Sequence, residues 1–370
     1  MRTKWLVVGP ALVVALTLLA GGGRPAVAQK LGPILTDQEF WHLASEFSES
    51  DGSFHSENLV SNEARYQHVI PQLVRTVPPE RAYVGVGSEQ NFTYIVATRP
   101  SIAFIVDIRR GNLDLHLLYK AFFELSADRA DFVSHLFARP RPAGLTPASS
   151  AVEIFDAFDR AAPSQALYTQ YLNAAKAHLQ TKHGFKLSAG DLSGLDYVYA
   201  AWFTNGPDIR YQLTTGGGGF GRGGARGGGR GPGGTPTYDA LMTATDDAGT
   251  PRSYLATEAS FAFMKDLETR NLVVPVVGNF GGPKALRAVG AYLKQKNHVV
   301  STFYTSNVEQ YLRQDGLWDT FCASAATFPM DRASTFVRSE RGGFMGARGG
   351  GGFSSMLAPM QQDLSACGVR

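Results

Sequence analysis

Apolar residues fall into two patterns along this chain: short unbroken runs, and longer stretches where they recur every three or four positions. Arg81–Val86, Ile102–Val106, Leu272–Val277 and Val299–Phe303 are runs of the first kind. An unbroken apolar run of this length reads as a strand covered on both faces, because a half-exposed strand would alternate apolar and polar residues. The helical pattern fills the intervals. Glu89–Thr98 reads as a helix that stops before Pro100, and Leu118, Ala121, Phe122 and Leu125 lie on one stripe of another. Asp128–Ala138, Gln165–His183, Glu258–Thr269, a helix striped by Leu286, Val289 and Leu293, and one beginning at Val308–Leu312 complete the series. Strand and helix in repeated alternation predict an α/β fold with a doubly wound, mainly parallel, Rossmann-like sheet in which the four runs are neighbours. Pro275 conflicts with a central strand, since proline belongs at edges and bulges. Residues 143–257 carry no strand pattern and are expected to form a helical insertion or cap.

The ends of the chain and two glycine tracts change this picture. Arg2 and Lys4 precede an apolar stretch from Trp5 to Ala20, and Ala26-Val27-Ala28 supplies a small-x-small cleavage site before Gln29. This predicts a signal peptide over 1–28 and one exported α/β domain over 29–370, periplasmic or secreted. The alternative is an uncleaved N-terminal anchor helix, for which the apolar run falls short of the roughly 20 residues a span needs. Gly216–Gly234 and residues 341–354 are glycine-rich with scattered arginines. Such chain loses much backbone entropy on ordering and buries no side chains, so both are expected to be disordered loops. Removing Arg2, Lys4 and Arg24 takes three positives from a formal charge of +3 and leaves the mature chain near zero. Charge therefore gives no ground for nucleic acid as a partner, and stable membrane insertion after cleavage is not expected. In an oxidising compartment Cys322 and Cys367 either pair or remain two unrelated thiols, and both readings stand.

The strongest chemical signal is Tyr83-Val84-Gly85-Val86-Gly87-Ser88-Glu89-Gln90-Asn91, followed by Asp107 at the end of the next strand. A strand entering Gly-x-Gly and then a helix brings bare backbone to a helix N-terminus, where a ligand approaches closely. An acid some 20 residues on, at the next strand's carboxyl end, accepts hydrogen bonds from ribose hydroxyls. The candidate ligand-binding residues are Gly85, Gly87, Glu89, Gln90, Asn91, Asp107 and Arg109, with Asn279 after the Leu272–Val277 strand. Two glycines needed only to pack a tight turn are the competing reading. Ser306 or Asn307 is expected to cap the helix after Val299–Phe303. Ser61 or Asn62 is expected to cap the helix that follows it, in preference to belonging to a cover over the site. The histidines are scattered without a His-x-x-x-His spacing, so no metal site is expected. There is no Gly-x-Ser-x-Gly elbow and no Gly-Lys-Ser/Thr phosphate loop.

Val84–Tyr94, Ile102–Asn112, Val273–Gly282 and Tyr304–Tyr311, with Ala325–Ser339, together resemble an uncharacterised bacterial protein family of class I, S-adenosylmethionine-dependent methyltransferase-like fold. The resemblance implies the fold, a small-molecule ligand at the Gly85–Gly87 loop, and S-adenosylmethionine as a candidate cofactor. Gly85 and Gly87 match that fold's glycine loop and Asp107 its ribose-binding acid. Gln90 departs from the small residue usual in the loop, and Tyr83 stands where an acid often precedes it. Two functional expectations result: an exported protein holding an adenosine-like or other small polar ligand, or an active methyltransferase. No catalytic residue is assigned.

Overall fold

All four apolar runs lie side by side in one sheet. The computed structural model describes residues 34–211, 235–341 and 353–367. In chain order these form α1 (Asp37–Glu46), α2 (Ile70–Thr76), β1 (Ala82–Gly85), α3 (Gln90–Thr98), β2 (Ile102–Asp107), α4 (Arg110–Leu125) and α5 (Arg129–Phe137). The helical stretch α6 (Ala151–Arg160), α7 (Gln165–Ala177), α8 (Ala189–Asn205), α9 (Tyr238–Thr243) and α10 (Glu258–Thr269) follows. The chain then returns to the sheet with β3 (Val273–Val277), α11 (Ala285–Gln295), β4 (Val300–Ser306), α12 (Val308–Gln314), α13 (Trp318–Ala325), β5 (Thr335–Arg341), β6 (Phe353–Pro359) and α14 (Met360–Ala366).

The strand order is β3-β2-β1-β4-β5-β6, parallel except for β6, which runs antiparallel to β5. This is the Rossmann-like order, with the chain reversing its direction of travel between β1 and β4. An antiparallel edge strand on a parallel sheet is common. Every residue of β1, β2 and β3 is buried, as continuous apolar runs require. The Pro275 conflict dissolves, because β3 is an edge strand and pairs only with β2, Ile105 opposite Pro275.

Helix α4 explains how the sheet and the helical insertion join. Asn112 to Phe123 are buried without a break, so this helix is covered all round instead of along one stripe. It packs on β3 on one side and on α8 and α10 on the other. Its buried length also carries His116, which bonds to the Gly87 carbonyl, and Lys120, which pairs with Glu124 one turn on and donates to the Glu268 carbonyl of α10. Residues 143–257 are helical where described, with only two isolated bridges, Arg210–Thr237 and Thr245–Pro251.

Two expectations need correction at their boundaries. Arg341 ends β5, while Phe353 and Ser354 begin β6, so both ends of the second glycine tract belong to a hairpin. Register explains this: Arg341 pairs with Phe353 and Glu340 with Ser354, which extends the ladder into the glycine-rich flanks. The stretch 342–352, the tract 216–234 and the signal segment 1–28 lie outside the described residues. The second correction concerns Gln165–His183. It is α-helical only to Ala177 and finishes as a π turn over His178–Lys182. Cys322 in α13 and Cys367 after α14 are joined by a disulfide, with Cα atoms 6.3 Å apart. No described helix is long and apolar enough to cross a membrane.

Candidate functional site

A cleft of about 300 Å³ opens at the carboxyl ends of β1–β4. This is where ligands bind in open parallel sheets, because the chain diverges on either side of the switch between β1 and β4. Its floor is built from Val86, Gly87 and Ser88 after β1, Val106, Asp107 and Ile108 at the end of β2, Gly278 to Phe280 after β3, and Tyr304 and Ser306 of β4.

Its roof comes from residues 47–63, which cross the four strand ends in spatial order. The Glu49 N–H donates to the Val277 carbonyl of β3 at 2.8 Å, and the Gly52 N–H to the Ile108 carbonyl after β2 at 2.9 Å. Arg109 donates to the carbonyls of Ser56 and Glu57. The Ser61 N–H donates to the Glu89 carboxyl beyond β1 at 3.1 Å. Glu63 then accepts from Tyr304 at 2.8 Å and Ser306 at 2.6 Å on β4. Each strand end is thus tied to these residues at least once, and a segment without regular structure becomes a fixed strap. Phe54, His55, Asn58, Asn62 and Glu63 of the strap line the cleft. Phe54 and His55 pack against Tyr311 of α12 with ring centroids 5.1 and 5.7 Å away, giving one wall an aromatic face.

This arrangement sorts the residues singled out in the sequence. Gly87, Asp107 and Asn279 border the cleft. Gly87 has φ +79°, a left-handed conformation that suits glycine, and a Cβ there would lie 3.3 Å from Asn58 of the strap. Asp107 receives the Arg109 N–H at 3.0 Å and lies 3.4 Å from the Arg109 guanidinium. Asn279 accepts the Gly281 N–H at 2.8 Å while Glu49 holds its backbone.

Gly85, Glu89, Gln90, Asn91 and Arg109 do not line it. A Cβ on Gly85 would meet the Asn91 carboxamide oxygen at 1.9 Å, so this glycine makes room for the Tyr83–Asn91 hydrogen bond of 2.9 Å. Asn91 also donates to the carbonyls of Val86 and Ser88, tying the loop from within. Gln90 binds Glu63 and Tyr94, each at 3.0 Å. Arg109 braces the strap. Glu89 is fully buried and one of its oxygens has no partner. Burial in this apolar setting pushes its carboxyl up to about 7. His116, beneath the loop, donates its Nε2–H to the Gly87 carbonyl at 2.9 Å, and burial pulls its imidazole down to about 4.

The expected caps are also corrected. Ser61 does not cap a helix; its hydroxyl turns to Gln90 and its backbone to Glu89. The turn after it starts at Tyr66 without a side-chain cap. Asn307 precedes α12 but makes no capping bond, and the Ser306 hydroxyl goes to Glu63. At Ser306 the buried Glu63 carboxylate takes the hydroxyl; at Ser61 the Gln90 carboxamide takes it, while the Ser61 oxygen accepts the Glu63 N–H at 3.1 Å. Glu63 was not singled out in the sequence. Its two oxygens accept from Gln90, Tyr304, Ser306 and Ser355, and its only sequence signal is an acid in the polar stretch Ser56–Glu63.

The cleft lining has a marked charge character. It contains Glu63, Asp107 and Asp315 and, among the described residues, no lysine or arginine. A family model described as "Domain of unknown function (DUF7790)" matches residues 58–183 and 237–362, which span the glycine loop, all six strands and the end of the strap from Asn58. No curated protein matches the chain.

Proposed function

We propose a ligand for this chain, which belongs to the DUF7790 family, a domain of unknown function: the cleft holds a neutral or cationic small molecule with an adenosine-like part, in an exported protein. The observation that carries this reading is the meeting of Gly87 and Asp107 on one acidic cleft at the β1/β4 switch. Gly87 keeps the loop backbone bare, Asp107 offers acceptor oxygens at the height a ribose would occupy, and the Phe54–Tyr311 wall offers a surface for a flat base. The absence of basic side chains among the described lining disfavours phosphates, which such loops otherwise attract.

Export is supported by the signal-peptide pattern at the N-terminus and by the Cys322–Cys367 disulfide, since such bonds persist in oxidising compartments. Protein from its native host is expected to begin at Gln29 and to titrate without free thiol.

The same acidic lining favours a second reading, S-adenosylmethionine-dependent methyl transfer, because that cofactor carries a sulfonium cation and no phosphate. When bound it supplies an electrophilic methyl group; Asp107 would hold its ribose and Gly87 admit its chain. Export weighs against this reading, because occupancy follows free ligand concentration and this cofactor is made in the cytosol.

Calorimetry with S-adenosylhomocysteine tests the site. Asp107→Asn keeps the acceptor for the Arg109 N–H but loses the charge, and is expected to weaken binding about tenfold or more, the scale of one charged hydrogen bond. Unchanged affinity in this variant, or no uptake by the wild type, rejects the site.

A further inference from the structure

Away from the cleft, the π turn at the end of α7 does something a regular helix could not. The His183 N–H bonds to the His178 carbonyl at 3.1 Å, a five-residue step. In an α-helix five residues apart means about 140° apart round the axis. The wider turn brings both imidazoles to one side, 5.0 Å apart between centroids, and both Nε2 atoms face Glu124 of α4. His178 Nε2 lies 2.9 Å and His183 Nε2 3.0 Å from the same oxygen, Oε2.

We propose that Glu124, His178 and His183 form a binding site for a divalent transition metal of the zinc class. Two imidazoles and one carboxylate are a donor set zinc accepts, with a fourth position left to water. The three donor atoms lie within 4.8 Å of one another. Tetrahedral zinc places its ligand atoms about 3.3 Å apart, so each histidine-to-Glu124 distance need open by only a few tenths of an ångström.

Two further observations point the same way. His183 sends its other nitrogen, Nδ1, to the Asp37 carboxylate at 2.6 Å, and Asp37 is itself held by Asn271 at 2.9 Å. A carboxylate behind a histidine fixes the ring's tautomer and presents Nε2 as a lone pair, the arrangement that orients metal-bound histidines. A cation already sits against two of the three donors: the Lys182 ammonium lies 2.7 Å from Glu124 Oε2 and 3.5 Å from His178 Nε2. Lys182 is 56% exposed and can swing into solvent, whereas Lys120, 1% exposed, stays at 2.8 Å from Glu124 Oε1 and leaves Oε2 to the site. Three nitrogens crowd one oxygen that has two lone pairs, and a metal ion in place of Lys182 resolves the crowding. None of these residues lines the cleft, so the site is separate from it.

The test is calorimetric titration of zinc chloride into the untagged mature protein at neutral pH, beside Lys182→Met and His178→Ala. One equivalent of zinc is expected, bound several-fold more tightly by Lys182→Met, which removes the competing ammonium from an exposed position. His178→Ala is expected to weaken it about tenfold or more. If Lys182→Met takes up no zinc, or if His178→Ala binds as well as the wild type, the cluster is an ion-pair brace only and the proposal falls.

Discussion

Ser306 donates its hydroxyl to Glu63 across 2.6 Å, joining the end of β4 to the strap that roofs the cleft. Ser306 holds a left-handed φ of +51° to do so, unusual for a residue with a side chain. Backbone strain of this kind persists where surrounding contacts over-determine it, and it clusters at functional sites. Glu63 is the reason here, because the same buried carboxylate also collects Tyr304, Gln90 and Ser355.

Glu63→Ala should therefore cost more than a lost contact. It strands several buried donors at once, and an unsatisfied buried polar group costs about 1–3 kcal/mol. Urea denaturation is expected to show a loss of roughly 2–4 kcal/mol for Glu63→Ala and a smaller loss for Glu63→Gln, which keeps one acceptor oxygen. Equal losses would mean that the cost is a matter of volume alone.

The two loop glycines should separate in their effects. Gly85→Ala drives a Cβ to 1.9 Å from Asn91 and must break the Tyr83–Asn91 bond, so it is expected to damage stability. Gly87→Ala meets only the strap's Asn58 at 3.3 Å but forces alanine to φ +79°, a strain of about 1–3 kcal/mol. Its larger effect is expected on ligand affinity, because its Cβ stands at the cleft. Thermal melts and binding isotherms of both variants check this ranking.

Glu89 sets a pH dependence. Burial raises its carboxyl from 4.5 to about 7, so folding favours the protonated form. The stability it contributes is complete below pH 4.5 and is lost as the pH rises through 7. Glu89→Gln, a permanent neutral analogue, is expected to match the wild type near pH 5 and to exceed it at pH 8 by an amount of order 2–3 kcal/mol. Melting temperatures across that range measure the gap. A gap that is constant with pH would place the effect elsewhere.

What the sequence made legible has a physical reason. The central strands announced themselves because strands buried on both faces must be apolar throughout, and Ile102–Val106 can be little else. Gly87 and Asp107 were legible because their positions follow from strand and turn lengths, which spacing reports. Pro275 read as a conflict because a sequence does not state which strand lies at the edge. The strap was hidden for a different reason. Residues 47–63 have no period, and their partners lie far away in sequence, Glu63 being 243 positions from Ser306. Gln90 and Asn91 looked like ligand groups because polar residues at a helix start usually face outward; here the strap and Tyr83 had already claimed them. His178 and His183 looked unrelated because a five-residue spacing faces two ways on an α-helix, and only the π turn brings them together.

The central claim is that the cleft selects an adenosine-like ligand without phosphate. Parallel calorimetric titrations of the mature protein with adenosine, S-adenosylhomocysteine and ATP test it most directly. With Glu63, Asp107 and Asp315 in the lining and no described lysine or arginine there, adenosine and S-adenosylhomocysteine are predicted to bind and ATP to bind about tenfold more weakly or not at all. ATP binding more tightly than adenosine, or no binding of any of the three at millimolar concentration, would contradict the account.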